Sequence, residues 1–312
     1  MHKRRVNELT LHLTIKPDGP MLIKSGQEAG ADPTLPQMSF VRTYHPDYPG
    51  ERTIYLPGSS LKGVVRSHCE RIIRTLYPND THACCDPLSR DSCGTRHRSM
   101  TDTAAQYKAM CLACKIFGHM VNAGHLTTRD AYPTEPLDSS PALERRNNVA
   151  IDRLSGGVAV GPFDMEVALS GEFKTRLALV NFELWQVGLL ALALRDLAEG
   201  RLPLGFAKSR GLGQVTATFE QLEIAYPGHF DMGDKTEVLY GVGALAPDLI
   251  ADYGYVADDH ITYSKPGTPV SGSAAWGRPA VAFTSHDAIM DVFQVAVAAW
   301  ARFVPQEAHP HG

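Results

Sequence analysis

No cysteine occurs outside positions 69–114 of this chain. All six (Cys69, Cys84, Cys85, Cys93, Cys111 and Cys114) fall inside that window. Clustering of this kind in an intracellular chain points to a metal site more than to a disulfide scaffold. No run is both apolar and long enough to span a bilayer. There is no internal repeat and no low-complexity tract. The Gly-Lys-Ser/Thr order of a Walker A loop is missing. An apolar signal-peptide core is missing too. The basic start Met1–Arg5 is followed by alternation over Glu8–Ile15, which reads as a strand. A cytoplasmic protein is the expectation, with no membrane partner. Nor is there an excess of positive charge: the net charge of -4 argues against a freely acting nucleic-acid binder.

What is present is an ordinary globular composition. A 312-residue chain that is 44% hydrophobic can bury one large core or two small ones. Its charge is uneven. Residues 1–218 carry 26 basic against 22 acidic side chains, whereas residues 219–312 carry 4 against 12. A basic body with an acidic C-terminal piece permits an RNA-facing surface on the body.

Periodicity supplies the elements. After the first strand, a Gly/Pro/Asp-rich loop leads to Pro57-Gly58-Ser59-Ser60-Leu61-Lys62-Gly63. Leu61, Val64, Val65, Ile72, Ile73 and Leu76 then recur at helical spacing, and Lys62, Arg66, Arg71 and Arg74 make the opposite face basic. Ser59 or Ser60 is a natural N-cap. Residues 78–114 lack periodicity and look like an insert held by something other than a core. Strands are expected at Leu126–Tyr132, Val149–Leu154, Val158–Val167 and Phe173–Phe182, with a turn at Gly156-Gly157. Leu184–Leu197 reads as a buried helix ended by Gly200. The loop Gly205–Gly213 follows, then a strand at Gln214–Ile224. This order suits an α+β sandwich of the ferredoxin or RRM type over residues 1–228. Residues 229–312 read as a C-terminal extension ending in a helix near Ala288–Phe303.

Three segments carry candidate chemistry. Small residues and Lys62 at a helix N-terminus suit a phosphate, and equally suit an ordinary cap beside a surface lysine. Gly205–Gly213 sets Lys208 and Arg210 among glycines, as a phosphate-binding loop or as a tight helix-to-strand connection. Cys111 and Cys114 form a Cys-x2-Cys pair. Cys85 and Cys93 would complete a tetrahedral structural zinc site, with His82, Cys84 and His97 as alternates. The insert has little apolar content to hold it together otherwise.

Taken in order, Tyr55–Gly63 with its helix, Cys111–Gly118, Gly124–Tyr132, Asn148–Gly157 and Gly205–Gly213 resemble the RAMP superfamily of CRISPR-associated proteins. The likeness runs over about residues 8–226 and is greatest to backbone subunits of type III or type III-derived effector complexes. It implies an RRM-like core that oligomerises along a CRISPR RNA and presents it for pairing with target RNA in antiviral defence. The expected partners are both RNAs, further copies of the chain and other effector subunits, a separate nuclease among them. It also implies a thumb hairpin, placed here within about residues 133–173. The expected RNA contacts are Ser59, Ser60, Lys62, Arg66, Arg153, Lys208, Arg210 and Gly211. In type III members an aspartate in the long loop before Pro57 cuts target RNA. The matching position here falls near Gln37, and the nearest aspartate, Asp32, lies five residues earlier. That departure favours a backbone that does not cut. The alternatives are a target-RNA endonuclease using Asp32 and a guide-processing nuclease using a histidine.

Overall fold

Alternation along the first strand separates an apolar face from a polar one. On β1 (Glu8–Pro17), Leu9, Leu11, Leu13 and Ile15 are buried, while Thr10, His12 and Thr14 alternate with them. The computed structural model describes residues 3–26, 38–138, 142–229, 237–263 and 265–307. The strands that concern the site are β1, β2 (Leu126–Thr128), β3 (Tyr132–Pro133), β4 (Leu143–Ile151), β5 (Val158–Ala168), β6 (Phe173–Val180), β7 (Val215–Ala225), β8 (Thr268–Pro269) and β9 (Ala280–Phe283). The helices are α1 (Gly58–Leu76), α2 (Cys93–Arg96), α3 (Thr103–Ala109), α4 (Leu112–Phe117), α5 (Leu184–Ala198) and α6 (His286–Glu307).

The main sheet is antiparallel in the order β8-β9-β7-β1-β6-β2, with β3 also paired to β6. Its centre, β7-β1-β6-β2, has α1 connecting β1 to β2 and α5 connecting β6 to β7. This is the β-α-β-β-α-β arrangement of ferredoxin-like domains. Leu9, Leu11, Leu177 and Leu179 meet Val187, Leu190 and Leu194 of α5 and Phe293 of α6, so both helices cover the same face. The other face carries the polar residues of the alternation.

On α1 the buried stripe is Leu61, Val65, Cys69 and Ile73, at i, i+4 spacing. Leu76, expected in that stripe, is 47% exposed. α5 is apolar nearly all round because it packs against the sheet, α1 and α6 at once. At Gly188 an added Cβ would sit 2.2 Å from the carbonyl oxygen of Ala296, so glycine lets the two helices touch backbone to backbone. The C-terminal residues contribute to both layers, since β9 pairs with β7 from Leu222↔Phe283 to Ala225↔Ala280 and α6 lies along α5.

The strand expected over Leu126–Tyr132 divides in two. Arg129 and Asp130 interrupt it, leaving β2 and β3 as separate partners of β6. β4 and β5 form a hairpin beside the main sheet. Its turn is closed by Asp152, whose Oδ1 accepts from the backbone N–H groups of Leu154 and Ser155. Its base is clamped by Arg42, which bonds both carboxylate oxygens of Glu166 at 2.7 Å and Asp138 at 2.5 Å.

Candidate metal centre and RNA-facing surface

The insert after α1 gathers four of the cysteines. Cys85, Cys93, Cys111 and Cys114 are all buried, and their sulfurs lie within 4.8 Å of one another. Cys85 Sγ is 3.7 Å from Cys114 Sγ and 3.7 Å from Cys111 Sγ. A tetrahedral ion with metal–sulfur bonds of ~2.3 Å sets its sulfurs roughly 3.8 Å apart. The four-thiol geometry is therefore compatible with zinc.

Local structure makes this possible. Cys111 precedes the first turn of α4, and its sulfur accepts from the N–H of Cys114 at 3.4 Å. Cys93 begins α2, and its sulfur accepts from the N–H of Cys111 at 3.4 Å. Two guanidiniums flank the cluster: Arg66 is 3.5 Å from Cys114 Sγ and Arg96 is 3.6 Å from Cys93 Sγ. Hydrogen bonds from Cys111 and Cys114 draw the Cys85 thiol down, while burial pushes Cys84 up to about 12. Cys84 stands outside the cluster, its thiol turned to the Cys85 carbonyl. His82 contacts Arg96, and the His97 ring faces that of His119. None of these three alternates joins the four-thiol group.

The residues expected to hold RNA separate into two sets. The first is engaged inside the protein. The N–H of Gly58 donates to Asp130 Oδ1 at 2.7 Å, so the start of α1 is capped by a carboxylate from the β2–β3 connection and not by Ser59 or Ser60. Lys62 Nζ donates to the carbonyl of Leu126 at 2.8 Å, and burial followed by the charge of Arg66 lowers its pKa. Arg66 bonds Glu70 at 2.8 Å and the carbonyl of Gly118 at 2.9 Å. Arg74 reaches Glu70 and the carbonyl of Cys85. Three of the four cations on this face of α1 thus tie the helix to its neighbours.

The second set is open. Lys208, Ser209 and Arg210 form an exposed turn whose flanking residues Ala207 and Gly211 are left-handed, with φ of 56° and 81°. Gly205 brings this loop to within 2.2 Å of Leu22 O for any added Cβ, which excludes larger residues. The Arg210 guanidinium lies over the Phe206 ring at 5.3 Å, and Lys24 approaches the same ring at 5.8 Å. Burial, followed by the charge of Arg71 on α1, lowers the pKa of Lys208. Lys24 was not legible as a site residue, because it sits in an irregular loop without periodicity. Arg153 is exposed near the hairpin turn, beside Leu154, which is 99% exposed. Asp32 lies outside the described residues.

The class is now defined: an α+β domain of ferredoxin-like topology with a four-cysteine insert after its first helix. A family model described as the RAMP superfamily matches residues 14–216, and the chain belongs to that superfamily. Membership carries a CRISPR-associated, RNA-binding role in general terms. No curated protein matches the chain. Among the described residues, no helix is long and apolar enough to cross a membrane.

Proposed function

We propose that this chain is a backbone subunit of a type III or type III-derived CRISPR effector complex, one of several copies that line a CRISPR RNA and present it for pairing with target RNA. The observation that carries the reading is the exposed patch of Lys24, Arg71, Lys208 and Arg210 around Phe206, set on a glycine loop inside the family-matched region. Such a patch suits phosphates and is indifferent to base identity, so the guide would supply specificity. Gly211 supplies the left-handed turn, with φ of 81°, and its surroundings are open to solvent. Ser59 and Ser60 flank the path at α1, while Lys62 and Arg66 stiffen it from inside. The β4–β5 hairpin, with Arg153, Leu154 and Ile151 exposed near its end, acts as the thumb between guide segments. Further copies, other effector subunits and a separate nuclease are its partners, and the chain itself binds without cutting.

Zinc holds the insert. Four thiolates and a dication leave two negative charges, and Arg66 and Arg96 offset them. The ion would act structurally, with Cys85, Cys93, Cys111 and Cys114 as its full ligand set.

The test is to purify the protein from cells carrying its CRISPR array and neighbouring genes, then size the bound nucleic acid after RNase or DNase treatment. A discrete RNase-sensitive band of guide length is expected, reduced in a Lys208→Ala/Arg210→Ala variant. A folded, RNA-free monomer would overturn the reading.

A further inference from the structure

The face of the main sheet away from the helices holds a groove of about 650 Å³, lined by His12, Arg129, Tyr132, Lys174 and Arg176 among others. These residues come from three segments far apart in sequence. The β1–β6 ladder sets His12 opposite Arg176 and Thr14 opposite Lys174. The backbone N–H of Arg129 donates to the carbonyl of Arg176 at 3.0 Å and brings the third permanent cation alongside. The charges of Arg176 and Arg129 join burial, the largest cause, in lowering the pKa of His12.

Among the described residues, Arg129, Lys174 and Arg176 have no ion-pair partner. The nearby carboxylates are committed elsewhere. Glu220 accepts from the Thr14 hydroxyl. Glu223 bonds Arg278 at 2.6 Å. Asp130 caps α1. In this open groove three cations without ion pairs outweigh the Asp130 carboxylate in its lining and the Glu220 carboxylate beside it, and attract a polyanion, because like charges held close together lower their mutual repulsion by binding one. Lys174 and Arg176 lie two residues apart on one strand face, about 7 Å along the chain. That repeat matches the spacing of successive phosphates along an extended strand.

We infer that this groove is a second RNA-contact surface, which takes the phosphodiester backbone of a single RNA strand across the open sheet face. Asp130 lines the groove and also caps Gly58, so the groove runs up to the start of α1. Its lining shares no residue with the patch of Lys24, Arg71, Lys208 and Arg210, so the two surfaces can be neutralised separately. The inference rests on the RNA-binding reading above.

The experiment is fluorescence anisotropy of the full chain with a labelled 20-nucleotide single-stranded RNA at several salt concentrations. The variants are Arg129→Gln/Lys174→Gln/Arg176→Gln, the charge-keeping Arg129→Lys/Arg176→Lys, and Lys208→Ala/Arg210→Ala. The expected result for the neutralised triple variant is at least a tenfold weaker affinity. Its slope of log affinity against log salt should be shallower by about 2, from ~0.7 per phosphate contact. The charge-keeping variant should retain the wild-type slope, and circular dichroism should match wild type in both. Wild-type affinity and slope in the triple variant, with loss in Lys208→Ala/Arg210→Ala, would overturn the groove and leave the RNA-binding reading standing. No binding by wild type would overturn both. Unchanged RNA affinity combined with loss of self-association in the triple variant would assign the groove to an acidic segment of a neighbouring copy instead.

Discussion

Asp130 caps α1 from outside the helix: its Oδ1 accepts the N–H of Gly58 at 2.7 Å. The carboxylate satisfies one of the free donors of the first turn and sits at the positive end of the helix dipole. Asp130→Ala should lower the unfolding free energy by about 1 kcal/mol, read from urea denaturation. Gly58→Ala should cost more, because a Cβ there would fall 2.7 Å from Thr128 O and 2.8 Å from the Arg129 carbonyl.

The cysteine cluster makes a sharper distinction among the thiols. Metal analysis of the purified protein should find one zinc per chain, and none after Cys111→Ser or Cys114→Ser. Cys84→Ser should keep the ion, since that sulfur is outside the group of four. Chelation should unfold the insert over residues 78–114, measured as faster amide hydrogen exchange there than in β1.

Arg42 and Glu166 are an ion pair with side chains only 6% and 11% exposed. Arg42→Ala would leave the Glu166 carboxylate buried without its partner. The loss should be on the order of 3 kcal/mol. Hydrogen exchange should show the damage first at the hairpin base, near Met38 and Met165, which this clamp holds together.

Asp259 predicts the pH response. Burial pushes its carboxyl up to about 7, aided by Glu183 and opposed by the Leu184 N–H, which donates to it at 3.0 Å. The native state therefore keeps a proton that the unfolded chain releases near pH 4. Native protein binds more protons between those values, so this group makes stability fall as pH rises from about 4 to about 7, then level off. Asp259→Asn should remove that decline in thermal melts taken at pH 5 and pH 8.

Much of this was readable from the sequence, for identifiable reasons. β1, α1, α5, β6 and β7 were visible because each buries one face or is buried throughout, and burial imposes a period. The four-thiol group was visible because cysteine is confined to one window. The pairing of Ala280–Phe283 with β7 was not, since four residues carry no period and their register depends on a partner some 55 residues away. Nor could sequence show that Lys62 and Arg66 turn inward, or that Arg129 and Arg176 meet. A basic residue looks the same in the chain whether it caps a carbonyl or faces solvent.

The two rims of the main sheet are both unsuited to growth. One ends in β8, two residues long and containing Pro269, and the other in β2 and β3, three and two residues long, with Pro133. Proline removes a ladder donor, and strands this short offer little backbone to a newcomer. Among the described residues, the main sheet thus offers poor edges for copies of this chain to join by continuing one another's strands. Under the proposed function, spacing along the guide would then fall to side-chain surfaces and to the RNA itself, which would make the nucleic acid the ruler of the assembly and the protein its bead.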